Sequence, residues 1–134
     1  MSEAQHPETS TKTAIVVISD PRSGHDESLA RLFNALASAY EFHAAGDKVT
    51  IVFTGTGTRW IGEVRQTEHP AHELFEKVQH LVAGASCACA EVFGATSAIE
   101  ESGYALIEDH IVPGTGGLPS LRNLMRDGYQ VLVF

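Results

Sequence analysis

The chain is poor in cysteine, in basic charge and in long apolar runs, and each shortage removes a class of function. Cysteine occurs twice, at Cys87 and Cys89. Two residues cannot build a network of bridges, and a bond across one intervening position is strained. Nine Lys plus Arg stand against seventeen Asp plus Glu, for a net charge of -8, and the basic residues are scattered singly. A fold that grips nucleic acid neutralises phosphates with a basic stripe, and docking on anionic lipid needs the same charge. No nucleic acid and no membrane are therefore expected as partners. No apolar run approaches the roughly 18 to 20 residues that cross a bilayer. Met1 to Thr13 is polar and lacks the apolar segment of a signal peptide. The expected location is cytoplasmic. Three sequence signatures are also missing: the Gly-Lys-Ser/Thr ending of a phosphate-binding loop, the dinucleotide fingerprint and the Gly-x-Ser-x-Gly hydrolase elbow.

What remains is ample for a core. With 134 residues, 43% of them hydrophobic, the chain fits one domain of common size. Residues 1–12 show no periodicity and read as a flexible tail, leaving a single domain over 13–134. Ala14 to Ile18 is a continuous apolar, mostly β-branched run, the pattern of a strand buried on both faces. Leu29, Leu32, Phe33, Leu36, Ala37 and Tyr40 follow at helical spacing and predict a helix over Asp26 to Ala45, stopped by Gly46 and capped by Asp26. Asp47 to Thr54 reads as a second strand and Gly55 to Trp60 as a loop. Pro70 opens a second helix that Gly84 ends. Ala85 to Cys89 reads as a third strand, with a helix starting near Ala90 and breaking at Gly94. Ser97 and Glu100 have the spacing of a capping box for a further short helix. Tyr104 to Val112 holds a fourth strand, Pro113 to Gly117 a glycine-rich turn, Leu121 to Met125 a last helix, and Tyr129 to Phe134 a final strand. Five strands alternating with helices predict a three-layer α/β/α sandwich with a mainly parallel sheet. Its ligand-facing edge would lie outside the carboxyl ends of the strands.

The sharpest chemical feature is Ser86-Cys87-Ala88-Cys89-Ala90 at a strand-to-helix junction. A thiol beside a helix N-terminus is expected to ionise below its ordinary pKa, and thiolate is the nucleophile and sulfur acceptor. Packing is the alternative, since free Cys is often a small buried hydrophobe. If both lie in the strand, Cys87 and Cys89 share a face. A zinc reading would join them to His69 and His72, but Cys-x-Cys is not the usual knuckle and no second Cys pair exists; no metal site is expected. The two glycine loops offer anion binding through Gly55, Thr56, Gly57 and Arg59, and through Gly114 and Gly116 before a helix. Turn formation alone would also explain the glycines. Asp20 and His25 follow the first strand and could orient a ligand. His110 could assist a thiol. Trp60, Ile61 and Val64 in an expected loop suggest an exposed contact surface for self-association.

The strand Thr13 to Ser19, the turn and long helix Asp26 to Ala45, the strand ending Phe53-Thr54-Gly55, the small-residue strand with Cys, and the closing Gln130-Val131-Leu132-Val133-Phe134 together resemble the DsrE/DsrF-like family over about residues 13 to 134. The resemblance implies a parallel-sheet α/β/α sandwich and a homo- or hetero-oligomer. It also implies a sulfur relay in which a Cys before the helix after the third strand carries a persulfide, and Cys87 or Cys89 matches that position. The chain departs from the pattern in its Cys-x-Cys, in an insertion at Ala95 to Gly103, and in Phe93-Gly94 where that helix ends in Arg-Gly. On this reading the protein passes sulfane sulfur between a donor and an acceptor protein, without a cofactor. The alternative is a non-enzymatic oligomeric module binding a small anion or nucleotide.

Overall fold

The computed structural model describes residues 10–134. Five strands, β1 (Lys12–Val17), β2 (Lys48–Phe53), β3 (Val82–Ser86), β4 (Ala105–Ile107) and β5 (Gln130–Val133), form one sheet in the order β4-β3-β2-β1-β5. Every pairing is parallel, and Ile15 of β1 lies between Ile51 of β2 and Leu132 of β5. The continuous apolar run predicted for the first strand is an interior strand, between β2 and β5: Thr13 to Val17 are all buried, as a strand covered on both faces requires.

Six helices connect the strands: α1 (Asp26–Ala44), α2 (Trp60–Val64), α3 (His72–Val78), α4 (Cys87–Val92), α5 (Thr96–Glu101) and α6 (Leu121–Arg126). From β1 to β4 each new strand adds on the same side of the last, so right-handed crossovers put α1 to α5 on one face. Leu32 and Leu36 of α1, Ile61 of α2, Phe75 of α3, Ala90 of α4 and Ile99 of α5 accordingly share one buried cluster with Ile15, Val17, Ile51 and Phe53. Each such side chain contributes about 1.5–3 kcal/mol when fully buried. After β4 the chain crosses back to the far side of β1, which places α6 on the opposite face. Alpha-six packs on β5 and has no buried residue.

Several local expectations are corrected. The second helix ends at Val78, and Val82 and Gly84 belong to β3. Gly84 is no helix stop; a Cβ there would run into the carbonyl oxygen of Ala105 in β4, so close strand approach demands glycine. Beta-three therefore ends at Ser86, and Cys87 and Cys89 lie in α4 rather than in the strand. The N-cap of α1 is His25, not Asp26. Ser97 does not cap α5, which starts at Thr96 behind Ala95 with no side-chain cap. The chain runs on from α4 through the Ala95 N–H bond to the Ala90 carbonyl, 2.8 Å, leaving no free helix start. Only Ala105–Ile107 of the expected fourth strand is strand. Lys12, expected in the tail, opens β1; the first nine residues of that tail lie outside the described residues.

The largest correction concerns Gly55 to Val64. It is no open loop: Gly55–Arg59 forms a 3-10 helix that runs into α2. Gly57 permits this, because a Cβ there would collide with the Val17 carbonyl oxygen. Trp60 is 2% exposed, and Ile61 and Val64 are fully buried. Trp60 Nε1 donates to Ser19 Oγ at 3.2 Å, and His69 packs against its ring edge-on. Trp60 is a core residue, so it offers no contact surface to another copy. Trp60→Ala is expected to destabilise the fold itself by about 3–5 kcal/mol, measured by denaturant unfolding, with a loss below about 1 kcal/mol contradicting the core role.

Candidate functional site

The direction of the crossovers changes between β3 and β4. The connection leaving β3 goes to the α1 face, and the one leaving β4 goes to the α6 face. In open parallel sheets such a reversal opens a crevice outside the carboxyl ends of the two strands. Cys87 stands there as the first residue of α4, directly after β3. The glycine-rich turn after β4 closes over it. The Ala88 N–H donates to the Gly117 carbonyl at 2.9 Å, and a Cβ built on Gly116 would stand 3.6 Å from Cys87 Sγ and 3.0 Å from Glu91 Oε1. A cavity of about 310 Å³ opens beside them, lined by Ala88, Glu91 and Val92 of α4 and by Gly114, Thr115 and Gly116.

Cys87 and Cys89 point different ways. Two positions apart on a helix are separated by about 200°, not superposed as on a strand. Cys87 faces the glycine turn; Cys89 Sγ lies 3.7 Å from Thr54 Oγ1 at the end of β2. The Cys89 amide donates to Ser86 Oγ, 3.3 Å, which caps α4. Both thiols are free and partly exposed.

The electrostatics of Cys87 reverse the expected sign. Burial pushes its thiol above the ordinary pKa, and the carboxylates of Glu91 and Glu108, with a hydrogen bond from the protonated thiol to Glu108, push the same way. A six-residue helix carries too few aligned peptide dipoles to outweigh desolvation and two nearby anions. Neither Glu91 nor Glu108 was singled out from the sequence. Glu91 sits four residues after Cys87, on the same face of α4, and would have been legible had that helix been placed from Cys87. Glu108 reaches the site from the position just after β4, which no local pattern reveals.

The remaining predicted residues form a second group. Asp20 pairs with Arg59, whose Nη1 lies 3.1 and 3.2 Å from the two carboxylate oxygens. Arg59 Nε also donates to the Phe93 carbonyl at 3.1 Å, and its guanidinium stacks over the Phe93 ring. The cation of the first glycine loop is thus engaged in joining β1, the 3-10 helix and α4. Thr56 Oγ1 donates to the Ile18 carbonyl, 2.9 Å; Gly55 and Gly57 shape that turn. Asp20 and His25 line a separate cavity of about 220 Å³ with Ser19, Ser23, Glu27, Ser28 and Arg31. His69 Nδ1 accepts from the Ala71 N–H at 3.0 Å, and His72 Nδ1 donates to the Val64 carbonyl at 2.8 Å. Both therefore hold the α2–α3 connection. His110 lines a cavity of about 610 Å³ with Pro119, Ser120 and Arg122.

The match to the DsrE/DsrF-like family runs over residues 11–134. The chain belongs to that family. In this DsrE/DsrF-like protein the small-residue strand and the Cys after it occupy the switch point of the sheet. Comparison with curated proteins and with solved structures gives no match. Among the described residues no helix is long and apolar enough to cross a membrane.

The acidic surroundings make the Cys87 ionisation testable. In a Cys89→Ser background, the alkylation rate of Cys87 should reach half its maximum above the ordinary cysteine range of about 8.5. Glu91→Gln should bring that midpoint down, and an unchanged midpoint would show that the carboxylate does not act on the thiol.

Proposed function

We propose that this DsrE/DsrF-like protein accepts and passes sulfane sulfur at Cys87. The observation that carries the reading is the position of Cys87 in the β3–β4 crevice, beside an open cavity and facing the glycine turn at Gly116. The family's association with sulfur relay supports it. Cys89, turned toward Thr54, is the weaker candidate.

The exchange is a thiol displacement. The Cys87 thiolate attacks the outer sulfur of a donor persulfide, R–S–SH. The donor S–S bond breaks, R–S⁻ leaves, and Cys87 holds the sulfur as its own persulfide. An acceptor thiolate then attacks that outer sulfur and releases Cys87 as thiolate. Oxidation states balance within the pair, so no cofactor enters. Burial, together with Glu91 and Glu108, raises the Cys87 pKa and so lowers its thiolate fraction; the rate of the first step therefore rises with pH.

Intact-mass spectrometry after incubation with a persulfide donor tests this. The chain should gain one sulfur atom, and Cys87→Ser should lose that gain while Cys89→Ser keeps it. An unmodified wild-type chain sinks the proposal; a gain lost only in Cys89→Ser moves the chemistry to the other thiol.

We infer also that copies of the chain associate, through the α6 and β5 side rather than through Trp60. Support comes from apolar side chains left open there: Met125 is 63% exposed and Val133 58%, with Leu121 and Leu132 beside them in the same elements. Beta-five is an edge strand, and an apolar edge invites pairing with another strand. Light scattering at micromolar concentration should exceed the 14.4 kDa of one chain, and Met125→Glu with Val133→Glu should return it to that mass; a wild-type particle of single-chain mass contradicts the association.

A further inference from the structure

Away from the crevice, two histidines from distant parts of the chain converge. His43 lies in the last turn of α1 and His80 in the 3-10 turn, Gln79–Leu81, that leads into β3. Both are exposed. Their Nε2 atoms are 3.4 Å apart, and the rings meet edge to face at 70°. At this separation one ring donates a long N–H···N hydrogen bond to the other. Two nitrogens bound to one zinc ion at about 2.0–2.1 Å each, at the tetrahedral angle, stand about 3.4 Å apart. The nitrogen separation in this hydrogen bond is thus also the bite of a shared metal ion, which a small turn of the two exposed rings would let take the place of the shared proton. No third His, Cys, Asp or Glu joins them in a group among the described residues, so water would fill the other positions.

We propose that His43 and His80 form a two-histidine chelate for a borderline divalent cation such as Zn²⁺. Imidazole nitrogen suits that class of ion, and neither calcium nor magnesium, which take oxygen ligands. The ion would tie the end of α1 to the entry of β3. Because the unfolded chain does not hold the two rings together, binding would stabilise the fold. This site is independent of the sulfur chemistry.

The test uses the full chain with Cys87→Ser and Cys89→Ser, so that thiolates do not compete for the metal. Zn²⁺ titration followed by imidazole nitrogen NMR should move the His43 and His80 signals together, saturating at one ion per chain. Calorimetry should show binding weakened at least about ten-fold in either His43→Gln or His80→Gln, since each leaves a single ligand without the effective concentration of its neighbour. Saturating Zn²⁺ should raise the melting temperature by roughly 5 °C, and either substitution should remove that rise. His80→Cys restores a zinc ligand and should recover binding, which a merely structural role for the ring would not. Equal Zn²⁺ affinity in the parent and both Gln variants, shifts confined to other histidines, or no binding at all would overturn the site.

Discussion

Strand β4 ends at Ile107, and the chain must then recross the sheet to pair β5 with the free edge of β1. A parallel strand cannot be reached by a tight hairpin, so this return needs a long connection over the opposite face. The recrossing parts the segments that leave β3 and β4 and creates the crevice that holds Cys87. It brings the glycine turn over α4, where the Gly117 carbonyl accepts from the Ala88 N–H. It also supplies Glu108, which faces the thiol. Cavity and acidic surroundings both follow from one reversal of direction.

The same reversal divides the sheet unequally. Five helices share the core on one face, and the six-residue α6 stands on the other. The well-covered face absorbs Trp60, Ile61 and Val64, which explains why an aromatic residue beside a glycine loop is buried. The thinly covered side leaves Met125 and Val133 open to water. Part of the exposed apolar surface thus lies where the topology provides least cover, although Val92 of α4 and Tyr40 of α1 are also open on the five-helix face.

Charge at Cys87 illustrates a competition that position alone does not resolve. The start of a helix favours thiolate, whereas burial and two carboxylates favour thiol. The helix is short and the carboxylates are close, so the second set prevails. At Arg59 the opposite economy operates: its charge is consumed by Asp20 and the Phe93 carbonyl. That interaction fastens the α4 end to the β1 edge and keeps the guanidinium from serving as a free anion receptor.

Long periodic segments were legible from the residues alone. The buried run of β1, the amphipathic face of α1 and the apolar β2 each carry a pattern over five or more positions, and local physics suffices to read it. The junction of β3 and α4 was not legible to the residue, because Val82-Ala83-Gly84-Ala85-Ser86 has no alternation and its glycine looks like a helix stop. Only the close approach of Ala105 explains Gly84. The residues alone establish an acidic α/β chain with a parallel sheet, and they put the thiols and the glycine-rich turns outside the carboxyl ends of its strands. Tertiary structure alone decided which thiol meets the glycine turn, which carboxylates surround it and which apolar side chains remain exposed. Those are contacts between segments far apart in the chain, and no local spacing encodes them.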